Sequence, residues 1–344
     1  MEEVSAPMRA RELNIAPGGL KTGPLNAITD VAGVRVGHVT VKQGARIRTG
    51  ATAILPHGGN PFQDKVPAGL AVFNGFGKMA GATQLIELGE IETPILLTNT
   101  LAVGRAIEAI NCWTLAQPGN ERVASLNAVV GETNDGRLND IRQPFPTVEQ
   151  MREAIDSATD GPVMEGAVGA GSGTVAFGRK GGIGTSSRKL GRKQGGYSVG
   201  VLVQSNYGGD LRIDGRPLGD AQADVDGSIM MVLATDAPLS DRNLRRLAMR
   251  CHGGLARTGA ALSNGSGDYA IAFSTAEAVR RTPERRMQAS PILDLPNDLL
   301  SPLFLAAIEA TEEAILNSLL MAEDTEGHDT LKDRPARIEA LRLK

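Results

Sequence analysis

Within the run DVDGSIMMVLATDAPLS, Gly227 and Ser228 have the types and order to do chemistry together. A serine hydroxyl is a poor nucleophile until a base takes its proton. If the peptide bond before Ser228 breaks, that serine acquires its own α-amine. Such an amine has a pKa of about 7.7–8.0, which suits a base at neutral pH. One cleavage would then supply nucleophile and base without a histidine. Gly227 suits the cleavage, because it has no side chain to shield its carbonyl and tolerates strained backbone. The polar segment before it, Gly208 to Gly227, could swing aside afterwards and open a site. The same residues also read as an ordinary turn entering a buried strand, since Asp, Gly and Ser are turn formers. Both readings stand at this point.

Other chemistries fit less well. The glycine-rich stretch GAVGAGSGTVAFGRKGGIGTSSR, Gly166 to Arg188, has Gly173 and Gly178 at Walker spacing, but Arg179 and Lys180 come next where Lys and Ser/Thr are required. The residues after Gly173 are strand-like rather than helical, against a dinucleotide fingerprint. The glycines read instead as sites of close backbone packing or as an exposed loop beside a site. The four histidines, His38, His57, His252 and His328, are scattered, and no Cys-x-x-Cys occurs, so no metal site is expected. QADVDGSIMMVL has Gln222 and Leu233 where a calcium loop needs Asp and Glu. No Gly-x-Ser-x-Gly sits at a strand-to-helix turn with a plausible downstream histidine, and the NGS at Asn264 is a sequon without a secretory context.

The elements that must position Ser228 alternate between strand and helix signals. Val34–Val41, Gly50–Leu55 and the start of GLAVFNGFG read as strands. Met79–Leu88, closed by Gly89, and Leu101–Leu115, with Leu101, Ile107, Ile110 and Leu115 near one face, read as helices. Thr147 and Gln150 form a capping box for a helix carrying Met151 and Ile155. Ser198–Gln204 reads as a buried strand, Asp214-Gly215 as a tight turn, and SIMMVLAT and GDYAIAFST as further strands. Ser240 caps a helix with Leu244, Leu247, Ala248, Cys251 and Leu255 on one stripe, and a long helix runs from Leu303 to Met321. The tail from Glu323 is charged and expected to be partly mobile. The 344 residues, 41% of them hydrophobic, can build a sizeable core, and only 3% aromatics against 42 glycines means a core of Ala, Val, Leu and Ile. A net charge of -3 with no long basic run argues against nucleic acid. Cys112 and Cys251 read as buried free thiols in a reducing compartment. The charged N-terminus and the lack of a membrane-length apolar run give a soluble, cytoplasmic expectation.

Several blocks together carry a resemblance: GHVTV, GATAILPHGGNPFQDKVPAG, ELGEIETPILLTNT, VVGETNDGRLNDIR, the glycine-rich stretch, GVLVQSNYGG, and GSIMMVLATDAPLS with NGSGDYAIAFST after it. From about Arg9 to Thr275 the chain resembles the DmpA-like family, the L-aminopeptidase/D-esterase and β-peptidyl aminopeptidase enzymes. The resemblance implies an α/β fold, an α/β/β/α sandwich like that of N-terminal-nucleophile hydrolases but with distinct connectivity. It implies one unit, residues 1–344, that cuts itself into 1–227 and 228–344, and a homo-oligomer, usually a tetramer of processed units. Ser228 is then the nucleophile and Asn206 the oxyanion donor, a role a neutral amide at a strand end can fill. Ser266 and Asp268 support the Ser228 amine, although some relatives carry the longer Glu at the acid position. Glu132 binds the free amine of the substrate. Some members have Tyr where this chain has Asn134, so Asn134 either donates in place of the phenol or stabilises a turn. Without the resemblance, Asn206, Ser266 and Asp268 read as turn residues and Glu132 as a salt-bridge partner.

The expected function is that of a self-processing serine aminopeptidase or amidase. It acts on small peptides, amino-acid amides or esters through an acyl-enzyme, with no cofactor or metal. The alternatives are an acyltransferase of the ornithine acetyltransferase type, which uses threonine at the cut, and an unprocessed, non-catalytic ligand-binding protein. A nicotinamide-dependent dehydrogenase is weaker still, for want of the strand-to-helix context.

Overall fold

The computed structural model describes residues 6–219 and 226–343, so part of the polar segment before Gly227 lies outside the described residues. Strands β1 (Arg35–Gln43), β2 (Ile47–Leu55) and β3 (Val66–Gly75) come first. Short β4 (Met79–Ala80) precedes α1 (Ala82–Leu88), which ends on Gly89 at φ 64°, a left-handed cap. The helix read from Met79 therefore begins three residues later, because Met79 and Ala80 pair with a neighbouring strand. Next come β5 (Glu90–Ile91), β6 (Ile95–Asn99), α2 (Val103–Leu115), β7 (Val129–Thr133) and α3 (Val148–Asp156). The glycine-rich stretch supplies β8 (Val175–Ala176), β9 (Arg179–Lys180) and β10 (Gly182–Lys189), ahead of β11 (Ser198–Asn206). Asp214 and Gly215, both at positive φ, turn β12 (Arg212–Ile213) into β13 (Arg216–Pro217). After them come β14 (Ser228–Thr235), α4 (Asp241–Arg257), β15 (Gly267–Ser274), α5 (Pro283–Arg286) and α6 (Ser301–Leu320). The tail is not loose. It folds into the hairpin β16 (Thr325–Asp329) and β17 (Arg334–Ile338), paired over five residues.

Two mixed sheets lie face to face. One has the order β1-β2-β6-β7-β4 and the other β10-β11-β14-β15-β3-β5. Helices α2 and α3 cover the first, and α4 and α6 cover the second. The result is the four-layer α/β/β/α sandwich that the resemblance implies. One core lies between the sheets, where Ile54, Leu97 and Val129 meet Leu202, Met230, Val232 and Ile271. A second core packs α4 and α6 on the opposite face, against Val201, Ile229, Met231, Leu233 and Ala270. Strands alternate their side chains between faces. Met230 and Val232 turn toward the other sheet, and alternation puts Ser228 on that same inner face.

The helix stripes are partly as read. Thr147 and Gln150 make both bonds of the capping box, and Ser240 caps α4 by accepting from Asn243 N. Leu101, however, lies in the turn before α2 and is exposed, as is Leu115 at the helix end, and the buried face of α2 is Ala106, Ala109, Ile110 and Trp113. Cys112 is exposed, while Cys251 is buried. Among the described residues no helix is long and apolar enough to cross a membrane.

Candidate active site

β14 is a central strand, and its first residue is Ser228. On one side it runs antiparallel to β11, with Asn206 opposite Ser228. On the other it runs parallel to β15, with Gly267 opposite Ser228. The strand entry therefore brings Asn206, Ser228 and Gly267 into one row across three strands. Ser228 and Asn206 are both buried.

The Gly267 N–H is shared. It donates to the Gly227 carbonyl oxygen at 3.0 Å and to Ser228 Oγ at 3.2 Å. A donor aimed at a carbonyl oxygen withdraws charge from its carbon and favours attack there. Gly227 itself sits at φ 156°, and an added Cβ would lie 2.2 Å from the Asn206 carbonyl oxygen. Only glycine fits this close approach of backbones.

Asn206 ends β11, and its Oδ1 accepts from Val175 N at 2.9 Å. That bond assigns the amide: oxygen toward Val175, nitrogen elsewhere. The glycine-rich stretch thus packs as the wall of the site. Its glycines permit close backbone contact, since a Cβ at Gly181 would lie 2.5 Å from the Ser205 carbonyl oxygen.

Ser266 precedes β15 and donates its hydroxyl proton to Asp268 Oδ1 at 2.6 Å, rather than to Ser228. Asn74, on β3, fastens this turn by donating to the Ser263, Asn264 and Ser266 carbonyls. Asp268 lies on the helix-facing side of β15 by alternation with Tyr269 and Ala270, which belong to the inner and outer cores. Its Oδ2 is buried and has no hydrogen-bond partner among the described residues. Burial pushes the Asp268 pKa up, and the Ser266 bond opposes this.

Glu132 sits in β7, in the facing sheet, and is 2% exposed. Its Oε1 accepts from Lys78 N at 2.9 Å and its Oε2 from the Thr100 hydroxyl. A Cβ added at Gly77 would lie 3.2 Å from Glu132 Oε1 and 3.3 Å from the Tyr269 hydroxyl, and one at Gly267 would lie 3.1 Å from the Tyr269 ring. Tyr269 therefore stands between the buried carboxylate and the Ser228 row. Its pKa is raised, first by burial and then by Glu132 and Asp268. Asn134 is exposed, and its Oδ1 accepts from Gly136 N at 2.9 Å, which is turn chemistry.

Ser228, Asn206, Gly267 and Tyr269 are thus gathered on neighbouring strands, with Glu132 facing them from the other sheet. Ser266 and Asp268 flank the row as a pair of their own. Sequence reading did not identify the backbone donors at Gly267, Val175 and Lys78, nor Thr100 or Tyr269. A backbone N–H leaves no mark on residue type. Tyr269 carried a signal, as the only aromatic at the head of a strand beginning beside Ser266.

The model of peptidase family S58 matches residues 26–332. The β-peptidyl aminopeptidase BapA of Sphingosinicella microcystinivorans is 41% identical over 93% of this chain and 87% of its own length. The PH0078 protein from Pyrococcus horikoshii superposes with a TM-score of 0.90 at 46% identity, covering 97% of this chain and 96% of that one. The L-aminopeptidase D-Ala-esterase/amidase from Ochrobactrum anthropi, described as a prototype serine aminopeptidase and a variant of the Ntn hydrolase fold, superposes with a TM-score of 0.87. It is 38% identical, over 97% of this chain and 95% of its own. With a family match along most of its length and that fold throughout, the chain belongs to peptidase family S58 and is a serine aminopeptidase.

Proposed function

We propose that the chain cuts its own Gly227–Ser228 bond and then uses Ser228 as an N-terminal nucleophile. The carrying observation is the Gly267 N–H that reaches both the Gly227 carbonyl oxygen and the Ser228 hydroxyl. Ser228 Oγ adds to the Gly227 carbonyl carbon, the C–N bond breaks, and the acyl group moves from nitrogen to oxygen. Water then hydrolyses the ester, leaving a Gly227 carboxylate and a free Ser228 α-amine. The products are residues 1–227 and 228–344.

In turnover, the substrate's ammonium binds Glu132, a buried carboxylate that favours a charged donor. The Ser228 amine takes the hydroxyl proton as Oγ attacks the substrate carbonyl. Asn206 Nδ2 stabilises the oxyanion. The amine returns the proton to the leaving group, and water releases the acyl-enzyme. Ser266 and Asp268 hold the amine, with the unpartnered Asp268 oxygen available to its charged form. The substrate class is a small peptide, amino-acid amide or ester with a free amine, β-aminoacyl substrates included in view of the BapA relative. Processed units assemble as a homo-oligomer, a tetramer being the arrangement we propose.

The test is a panel of L-aminoacyl, D-alanyl and β-alanyl p-nitroanilides, each also N-acetylated. The reading expects cleavage of free-amine members, none of acetylated ones, and none by Ser228→Ala. Equal cleavage of acetylated substrates, or activity in Ser228→Ala, would overturn it.

A further inference from the structure

Around the turn from Gly171 to Gly181 the backbone closes on a buried cation. Lys180 is 0% exposed. Its Nζ donates to the carbonyls of Gly171 at 2.8 Å, Thr174 at 2.9 Å and Gly181 at 2.7 Å. An ammonium has three protons and a neutral amine two, so three carbonyls at these distances match the charged form. Asp135, also buried, supplies the opposing charge: burial lowers the Lys180 pKa and Asp135 raises it.

The turn is seated on both sides of Asn206. Gly181 packs on the backbone of Ser205, and Phe177 N donates to the Tyr207 carbonyl at 2.7 Å. Between these anchors Val175, next in chain to the clamped Thr174, donates to Asn206 Oδ1. Three carbonyls crowded into one turn repel one another, and removing their common cation would let that turn relax.

We propose that Lys180 is a positioning residue for the oxyanion site: by holding the carbonyls of Gly171, Thr174 and Gly181 it fixes the Val175 N–H that aims the Asn206 amide. The inference rests on the assignment of Asn206 as oxyanion donor. Lys180 touches no substrate and acts only through Val175 and Asn206.

A double-mutant cycle separates this role from a merely structural one. Lys180→Met, Asn206→Ala and the double variant are assayed on an aminoacyl p-nitroanilide. Rates are expressed per processed chain, counted by intact mass. Small misplacements of reacting groups cost up to about 100-fold. Lys180→Met is therefore expected to lower kcat roughly 10- to 100-fold with KM within about twofold. In the Asn206→Ala background the same change is expected to cost less than about threefold. Equal costs in both backgrounds, an effect on KM alone, or no loss would overturn the proposal. So would a Lys180→Met chain that folds but never cleaves. If Lys180→Met does not fold by circular dichroism, Lys180→Met with Asp135→Asn, which leaves no lone buried charge, takes its place. Failure of both to fold makes Lys180 a structural residue and overturns the proposal. An Asn206→Ala chain with unchanged kcat would instead overturn the oxyanion assignment itself. Loss of activity in Asn206→Ala with none in Lys180→Met would overturn only the role of Lys180.

Discussion

Ser228 has no histidine in its row, so on the proposed reading its neighbours share the work of a base, a polarising donor and an anchor for the substrate. Asn206 is held by one good bond at its oxygen, leaving its nitrogen as the neutral donor. Asn206→Ala is expected to lower kcat by roughly 10²–10³, the effect of deleting one oxyanion donor. Stopped assays on processed protein would check this, and an unchanged kcat would refute the assignment. On the proposed reading Glu132 has the opposite signature, ground-state binding. Glu132→Gln keeps the acceptor for Lys78 N but removes the charge. A charge-assisted hydrogen bond contributes about 1.5–3 kcal/mol, so KM for free-amine substrates is expected to rise at least about tenfold with little change in kcat. A drop in kcat alone would mean that Glu132 acts on the reacting carbonyl instead. At this scale the sequence was informative where chemistry needs a particular side chain. The blocks that resemble the family singled out Ser228, Asn206, Glu132, Ser266 and Asp268, and the structure places Asn206 beside Ser228, Glu132 in the facing sheet, and Ser266 and Asp268 as a pair beside the row. The Gly267, Val175 and Lys78 N–H groups were not, because any residue but proline supplies one.

The strand entry at Gly227 is the element on which the site depends. The backbone of β11 comes so close there that a methyl group at residue 227 would overlap the Asn206 carbonyl oxygen. Gly227→Ala is expected to slow processing at least about tenfold, monitored by mass spectrometry over time, because strain of this kind moves the carbonyl off the Gly267 N–H. Processing at the wild-type rate would show that the close approach is not needed. Periodicity found the strands and helices whose buried faces are made of large apolar residues, such as β14 and α4. It misread α2, whose inner face is built from alanines beside Trp113, so that the prominent leucines at 101 and 115 mark the outer side. It missed the β16–β17 hairpin, since a charged, exposed ribbon has no apolar alternation to read. Residues 79–80 show why propensity alone fails: pairing with β7 overrides a helical pattern.

For the whole molecule, the order of strands decides what a cut would do. β14 would begin the second piece, yet it is hydrogen-bonded to β11 of the first, and β3 of the first is bonded to β15 of the second. The two pieces are therefore expected to co-elute in native gel filtration and separate only in denaturant. The fold also carries a pH dependence in its first sheet. His38 lies against Thr52 at 2.9 Å, and burial lowers its pKa from 6.5 to about 4. The unfolded chain therefore binds a proton between those values that the folded chain refuses. Stability from this group is complete above about pH 6.5 and is lost as pH falls toward 4, by roughly 3 kcal/mol at most. Urea midpoints at pH 4.5 and 7 are expected to differ less in His38→Gln than in the parent. An equal difference would place the acid sensitivity elsewhere. The most direct test of self-processing at Ser228 is the intact mass of freshly purified protein in denaturant, beside Ser228→Ala. Two chains meeting at Gly227/Ser228 are expected in the parent and one uncut chain in the variant. A parent chain that stays whole after long incubation, or a variant that is cut at the same bond, would contradict it.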